Sequence, residues 1–191
     1  ENWDQFYEIF KLFINKVNFF SNGYISYFEN AAKLNDPYAL MRLGSFYEYN
    51  ILFEQDYSKA KEYYELAAKQ NYPFAFAFLG FLYKEGKGVK QDYLKAKEYF
   101  ELGAEQSNST ALLGLGSLYL DGLGVKQNYA TAKYYIELSA MQNNLNALLS
   151  LGNMYIKGIG VEQNIKKGIK YIELSANQNN TDAQLVLGNH Y

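Results

Sequence analysis

Cysteine is absent from the chain, which rules out a disulfide framework, thiol chemistry and a cysteine-type zinc site and leaves the redox compartment open. Histidine is almost absent too. His190 alone could serve a Ser/His or Cys/His nucleophile, and its place in the last, frayed turn reads as that of a surface residue. No His/Cys/Asp/Glu grouping has metal-ligand spacing, so neither a metal nor a cofactor is expected. Apolar runs stay far short of the roughly 18 residues that a membrane-spanning helix needs. No signal peptide is visible, and a start at Glu1 rather than Met reads as a mature or excised form. Both a cytoplasmic and a periplasmic or secreted location fit. A net charge of −2, a pI near 5.5 and the lack of any basic stripe argue against nucleic acid as a partner. Arg42 is the one arginine among many lysines, asparagines and tyrosines, a bias typical of AT-rich genomes.

What the chain does have is repetition. Leu-Gly recurs every 36 residues, at Leu43-Gly44, Leu79-Gly80, Leu115-Gly116, Leu151-Gly152 and Leu187-Gly188. Each pair is followed by Tyr47, Tyr83, Tyr119, Tyr155 or Tyr191 and preceded by Ala39, Ala75, Ala111, Ala147 or Ala183. Gly-x-Gly-Val follows at Gly86 to Val89, Gly122 to Val125 and Gly158 to Val161. Later columns hold Tyr63, Tyr99, Tyr135 and Tyr171, then Ala68, Ala104, Ala140 and Ala176. A period of this length marks a solenoid or array.

One unit reads as two helices and a turn. Ala39, Leu43 and Tyr47 lie four apart and share one face of a first helix, with Gly44 beside them. Glycine inside a helix costs roughly 0.5–1 kcal/mol relative to alanine, so the column calls for a compensating close approach by a neighbouring helix. Gly-x-Gly-Val breaks the helix, and Asp56, Asp92, Asn128 or Asn164 caps a second one. That helix ends at Asn35, Asn71, Ser107, Asn143 or Asn179, where a left-handed backbone is expected. Asp36, Asn108, Asn144 and Asn180 cap the following first helices, and Pro37 and Pro73 occupy first helical turns.

The Ala-x-x-x-Leu-Gly-x-x-Tyr, Gly-x-Gly-Val and Asp/Asn-Tyr-x-x-Ala strings over Asp36 to Tyr191 resemble the Sel-one-like repeat (SLR) family, relatives of tetratricopeptide repeats. The resemblance implies an all-α, right-handed superhelical solenoid of antiparallel helix pairs, about eleven helices in all, with first helices inside. It also implies a non-catalytic scaffold or adaptor, since the family's proteins act as adaptors, regulators and secreted bacterial factors. Two departures stand out. Asn50-Ile51-Leu52-Phe53 replaces Gly-x-Gly-Val, and Gly168 replaces a usual alanine, a small-for-small change expected to be tolerated.

The whole chain is expected to be one solenoid domain. Residues 1–35 form a degenerate capping unit, in which Glu1 to Phe20 reads as an amphipathic helix with Trp3, Phe6, Phe10 and Phe13 on one face. Docking of a partner is the alternative role for that helix. Full repeats span 36–71, 72–107, 108–143 and 144–179, and 180–191 is the first helix of a further, truncated or capping repeat.

Candidate sites are few. The loop Gly86-Lys87-Gly88-Val89-Lys90-Gln91 lacks the Gly-Lys-Ser/Thr of a phosphate loop and reads as a turn. Glu29, Glu65, Glu101, Glu137 and Glu173 are too far apart for paired acid/base work, and Glu65 is placed to meet Lys69 in a solvated helix pair. Of twenty tyrosines, those outside repeat columns are Tyr7, Tyr24, Tyr38, Tyr49, Tyr64, Tyr72 and Tyr134, and only these can support a functional argument. Opposite the Ala/Leu/Tyr face of the first helices lie Tyr38, Met41, Tyr49, Phe74, Phe81, Leu113, Leu120, Leu149, Asn153 and Ile156, an apolar track with polar neighbours. As a groove on the concave face it would bind a protein segment or domain; alternatively, adjacent first helices bury these side chains against one another. The second functional reading is a module for a cell-envelope glycan or small ligand, with weak hydrolase activity at most.

Overall fold

The computed structural model describes residue 23, residues 25–51 and residues 53–188. The helix read at the N-terminus, Leu52, His190 and Tyr191 lie outside the described residues. After a helical stretch at 25–33 come α1 (Pro37–Glu48), α2 (Tyr57–Ala68), α3 (Pro73–Glu85), α4 (Tyr93–Glu105), α5 (Ser109–Asp121), α6 (Tyr129–Met141), α7 (Leu145–Lys157), α8 (Ile165–Ala176) and α9 (Thr181–Gly188). No strand occurs among the described residues, and the architecture is an all-α solenoid. Two compact units are distinguished, Glu1–Tyr72 and Pro73–Tyr191.

The helix ends follow from short polar side chains. Asp36, Asn108, Asn144 and Asn180 accept the backbone N–H three residues on, at 2.7, 2.9, 3.1 and 2.9 Å. Asp56, Asp92, Asn128 and Asn164 do the same at the second helices. Asn35, Asn71, Ser107, Asn143 and Asn179 all take positive φ, between 57° and 67°, as the sequence leads one to expect. A column not singled out in the sequence completes the turn: Gln55, Gln91, Gln127 and Gln163 each donate a side-chain N–H to the last-turn carbonyl of the first helix, at 2.8–2.9 Å. These carbonyls would otherwise be orphaned.

In the first unit, Phe28, Ala39, Leu43 and Phe46 make the core, with the Phe28 and Phe46 rings edge to face at 5.7 Å. Its aberrant loop closes by different means. Asn50 takes a positive φ of 53°, as Gly86 takes 69° in the regular turn, and Phe53, in the column of Val89, stacks on Tyr47 at 4.4 Å. Tyr64 is buried and its hydroxyl donates to Glu48 Oε2 at 2.6 Å.

In the second unit, α3 to α9 pack in sequence order, each against its neighbours, and α3 also meets α5. Core clusters form around Phe100, Leu115 and Leu118, then Ile136, Leu151 and Met154, then Ile172, Ala176 and Ala183. The helical glycines explain the spacing of each pair. A Cβ at Gly80 would lie 2.5 Å from the Phe100 ring, at Gly116 2.6 Å from Ile136 Cγ1, and at Gly152 2.5 Å from Ile172 Cγ1. Gly44 stands in the same relation to Tyr64 in the first unit. Each glycine is therefore the seat of one large side chain, 20 residues on, from the second helix of its own repeat. Phe100 needs a second vacancy. A Cβ at Gly114, on the next first helix, would lie 2.6 Å from its Cζ.

Glycine at position 168 is tolerated, and in this repeat it is also needed, because a Cβ there would fall 2.5 Å from Ile156 Cγ1 and 2.6 Å from the Gly152 carbonyl oxygen. The β-branched Ile156 and the close backbone have taken the space that alanine leaves in other repeats. Glu65 pairs with Lys61 at 3.1 Å rather than Lys69, as Glu101 does with Lys97 and Glu137 with Lys133. Helical side chains lean towards the N-terminus, which brings the glutamate over the residue four earlier.

Helix propensity alone makes Gly116→Leu stabilising, yet overpacking against buried Ile136 should cost about 1–3 kcal/mol. Thermal unfolding of Gly116→Leu and Gly168→Ala should give lowered melting temperatures for both. A rise in either would mean that the helix pair can open to admit a side chain.

Candidate functional site

Unit by unit, the apolar track on the first helices divides by exposure. In the first unit Met41 is buried, whereas Tyr38 and Tyr49 are 54% and 55% exposed. In the second, Phe74 is 46% exposed and Asn153 half-buried. The other track residues are half-buried and engaged. Phe81 meets Phe100 edge to face at 5.0 Å, Leu113 and Leu120 pack on the Ile136 cluster, and Leu149 and Ile156 on the Ile172 cluster. Lys84 spans from α3 to α5 by donating to Ser117 Oγ at 3.0 Å. The structure thus brings the aliphatic members of the track into the packing between repeats and leaves Tyr38, Tyr49 and Phe74 about half exposed to solvent.

The repeat tyrosines form a second system. Tyr47–Tyr63, Tyr83–Tyr99, Tyr119–Tyr135 and Tyr155–Tyr171 stack nearly parallel at 5.5–6.0 Å, tying each first helix to its second. Lysines cover three of them: Lys59 over Tyr47 and Lys95 over Tyr83, each at 5.0 Å, and Lys167 over Tyr155 at 4.0 Å. Lys167 also donates to the Tyr155 hydroxyl at 2.7 Å, which raises its pKa. The second-helix column Tyr93 and Tyr129 has a separate task. A Cβ at Gly124 or Gly160 would lie 2.6 Å from the Tyr93 or Tyr129 Cβ, so each tyrosine abuts the loop of the next repeat.

Burial raises the pKa of Tyr63, Tyr64, Tyr72 and Tyr135 above the ordinary phenol value; for Tyr64 the neighbouring Glu48 carboxylate adds to it. Among the described residues no group of three or more His, Cys, Asp or Glu side chains could hold a metal, and no helix is long and apolar enough to cross a membrane.

Glycine-seated helix pairs thus recur every 36 residues, a spacing that one family of repeats shares. The family model described as Sel1 repeat matches residues 37–72, 74–108, 109–144 and 145–180, and the chain belongs to the Sel1 repeat family. Sel1 repeats are generally protein–protein interaction modules, and proteins built from them are typically non-catalytic scaffolds. Solved structures agree. A Sel1 repeat protein from Oxalobacter formigenes is 29% identical, with a TM-score of 0.76 over 90% of this chain and 70% of that one. The protein c5321, a protective antigen present in uropathogenic Escherichia coli strains and displaying an SLR fold, is 33% identical, with a TM-score of 0.67; the match covers 86% of this chain but 35% of c5321. Helicobacter pylori cysteine rich protein B is 25% identical, with a TM-score of 0.54 over 69% of this chain and 95% of that one. Comparison with curated proteins finds no match.

The buried phenols set an alkaline limit on stability. In the unfolded chain they ionise near 10, whereas the fold holds them protonated to higher pH. Above pH 10 the unfolded state has lost protons that the native state keeps, so stability should fall as pH rises through that window. Spectrophotometric titration should show phenols that ionise only together with loss of helical circular dichroism; smooth titration of all tyrosines near 10 in the folded state would contradict the burial.

Proposed function

We propose that this protein is a non-catalytic scaffold that binds a protein segment or domain through the track on its first helices, the face expected to be concave in such a solenoid. The observation that carries the reading is the exposure of Tyr38, Tyr49 and Phe74, which fall outside the core positions of the repeat. Exposed aromatic residues with few rotatable bonds supply contact area at low entropic cost and are the usual anchors of an interface. In the second unit, half-buried Leu113, Leu120, Leu149 and Ile156 would supply apolar surface, and Asn153 would hydrogen-bond a bound backbone. A role as a bacterial regulatory, secreted or virulence-type factor accords with the bacterial sources of the similar structures, one of them a protective antigen.

Photoreactive 4-benzoylphenylalanine at positions 49 and 74 tests the surface. Both positions should capture the same polypeptide from the source cell, whereas position 170 on α8 should not. Capture from position 170 alone would put the contact on the second helices and overturn the proposal.

A further inference from the structure

A groove of about 520 Å³ lies among α4, α5 and α6, on residues that the first-helix track does not use. Its apolar surface includes Leu112 and Leu138; Tyr134 and Tyr135 form one wall, with the two rings edge to face at 5.3 Å. Glu101 and Glu105 line it from α4, and no lysine or arginine does among the described residues. The two carboxylates are not equivalent. Glu101 is held by Lys97 at 2.6 Å, an interaction that raises the Lys97 pKa, whereas Glu105 is exposed and has no ion pair among the described residues. Tyr134 is 58% exposed.

The repeat itself does not account for this pair. The column of Tyr134 otherwise holds Glu62, Glu98 and Lys170, and that of Glu105 holds Lys69, Met141 and Asn177. Of the equivalent grooves between successive second helices among the described residues, this one alone therefore combines a tyrosine with a glutamate at these positions. We infer that it is a docking pocket for an arginine side chain presented by a partner protein. Charge complementarity selects a cation, and the apolar floor selects one with a long aliphatic stem. Arginine fits better than lysine, because its planar, weakly hydrated guanidinium stacks on Tyr134 while its N–H fork bonds the Glu105 carboxylate.

The inference stands apart from the first-helix reading, and its test separates the two. The probes are the peptide Ac-Ala-Leu-Arg-Leu-Ala-NH2 and its counterparts with lysine or citrulline, titrated into the whole protein carrying labelled leucine methyls and tyrosine rings. The arginine peptide should shift the NMR signals of Tyr134 and Leu138. Its affinity should exceed that of the uncharged citrulline peptide by about three- to tenfold, with lysine between them. Glu105→Gln, at an exposed position, should remove most of that difference while leaving citrulline binding unchanged, and Tyr134→Ala, also at an exposed position, should weaken binding of both peptides. Equal affinities for arginine and citrulline, shifts at Leu113 and Leu149 instead, or no shift up to about 10 mM peptide would each overturn the proposal.

Discussion

The contact on which this structure depends is the seating of one large side chain from each second helix over the glycine of each Leu-Gly pair. Tyr64, Phe100, Ile136 and Ile172 occupy these seats and are all essentially inaccessible to solvent. A helix pair without a glycine would have to stand further apart, and the tyrosine rings that stack across it at 5.5–6.0 Å would lose their overlap. The loop geometry follows as well. Gln91, Gln127 and Gln163 reach the last-turn carbonyls of the first helix only when the second helix returns close beside it. In a chain without cysteine, this packing and hydrogen bonding hold the turn where a covalent staple otherwise could.

The period, the caps and the left-handed helix ends were all legible in the sequence, because each depends on a local spacing or a local backbone preference. Asn143 and Asn179 announce their positive φ by residue type alone. What could not be read was the depth of each contact. Leu113 and Leu149 lie three residues beyond the column of Tyr38 and Phe74, on the same side of the first helix, and nothing in the spacing tells how far the next helix covers them. That glycine is needed at position 168 was hidden for the same reason: whether a methyl fits depends on Ile156 and on a carbonyl 16 residues away, in another helix. The glutamine column was visible as a column, but a polar residue in a turn carries no sign of its partner until the carbonyl it reaches is placed.

Function divides along the same line. The repeat positions are consumed by packing, and so the exposed residues suited to recognising a partner are those that break the pattern. Tyr38, Tyr49 and Phe74 on the first helices, and Tyr134 with Glu105 on the second, are of this kind. In a solenoid whose stability is a sum of repeat and nearest-neighbour terms, such exceptions can change without unsettling distant repeats.

Phe100 qualifies that freedom. Its ring fills a vacancy made jointly by Gly80 in its own repeat and Gly114 in the next, where neighbouring units carry Phe78 and Ser150 at the position of Gly114. The repeat that ends with this ring can be followed only by one that begins with that gap. Units of the array are thus alike in outline yet not exchangeable in order, and a duplication or shuffling of repeats during its descent would have succeeded only where both halves of such a match travelled together.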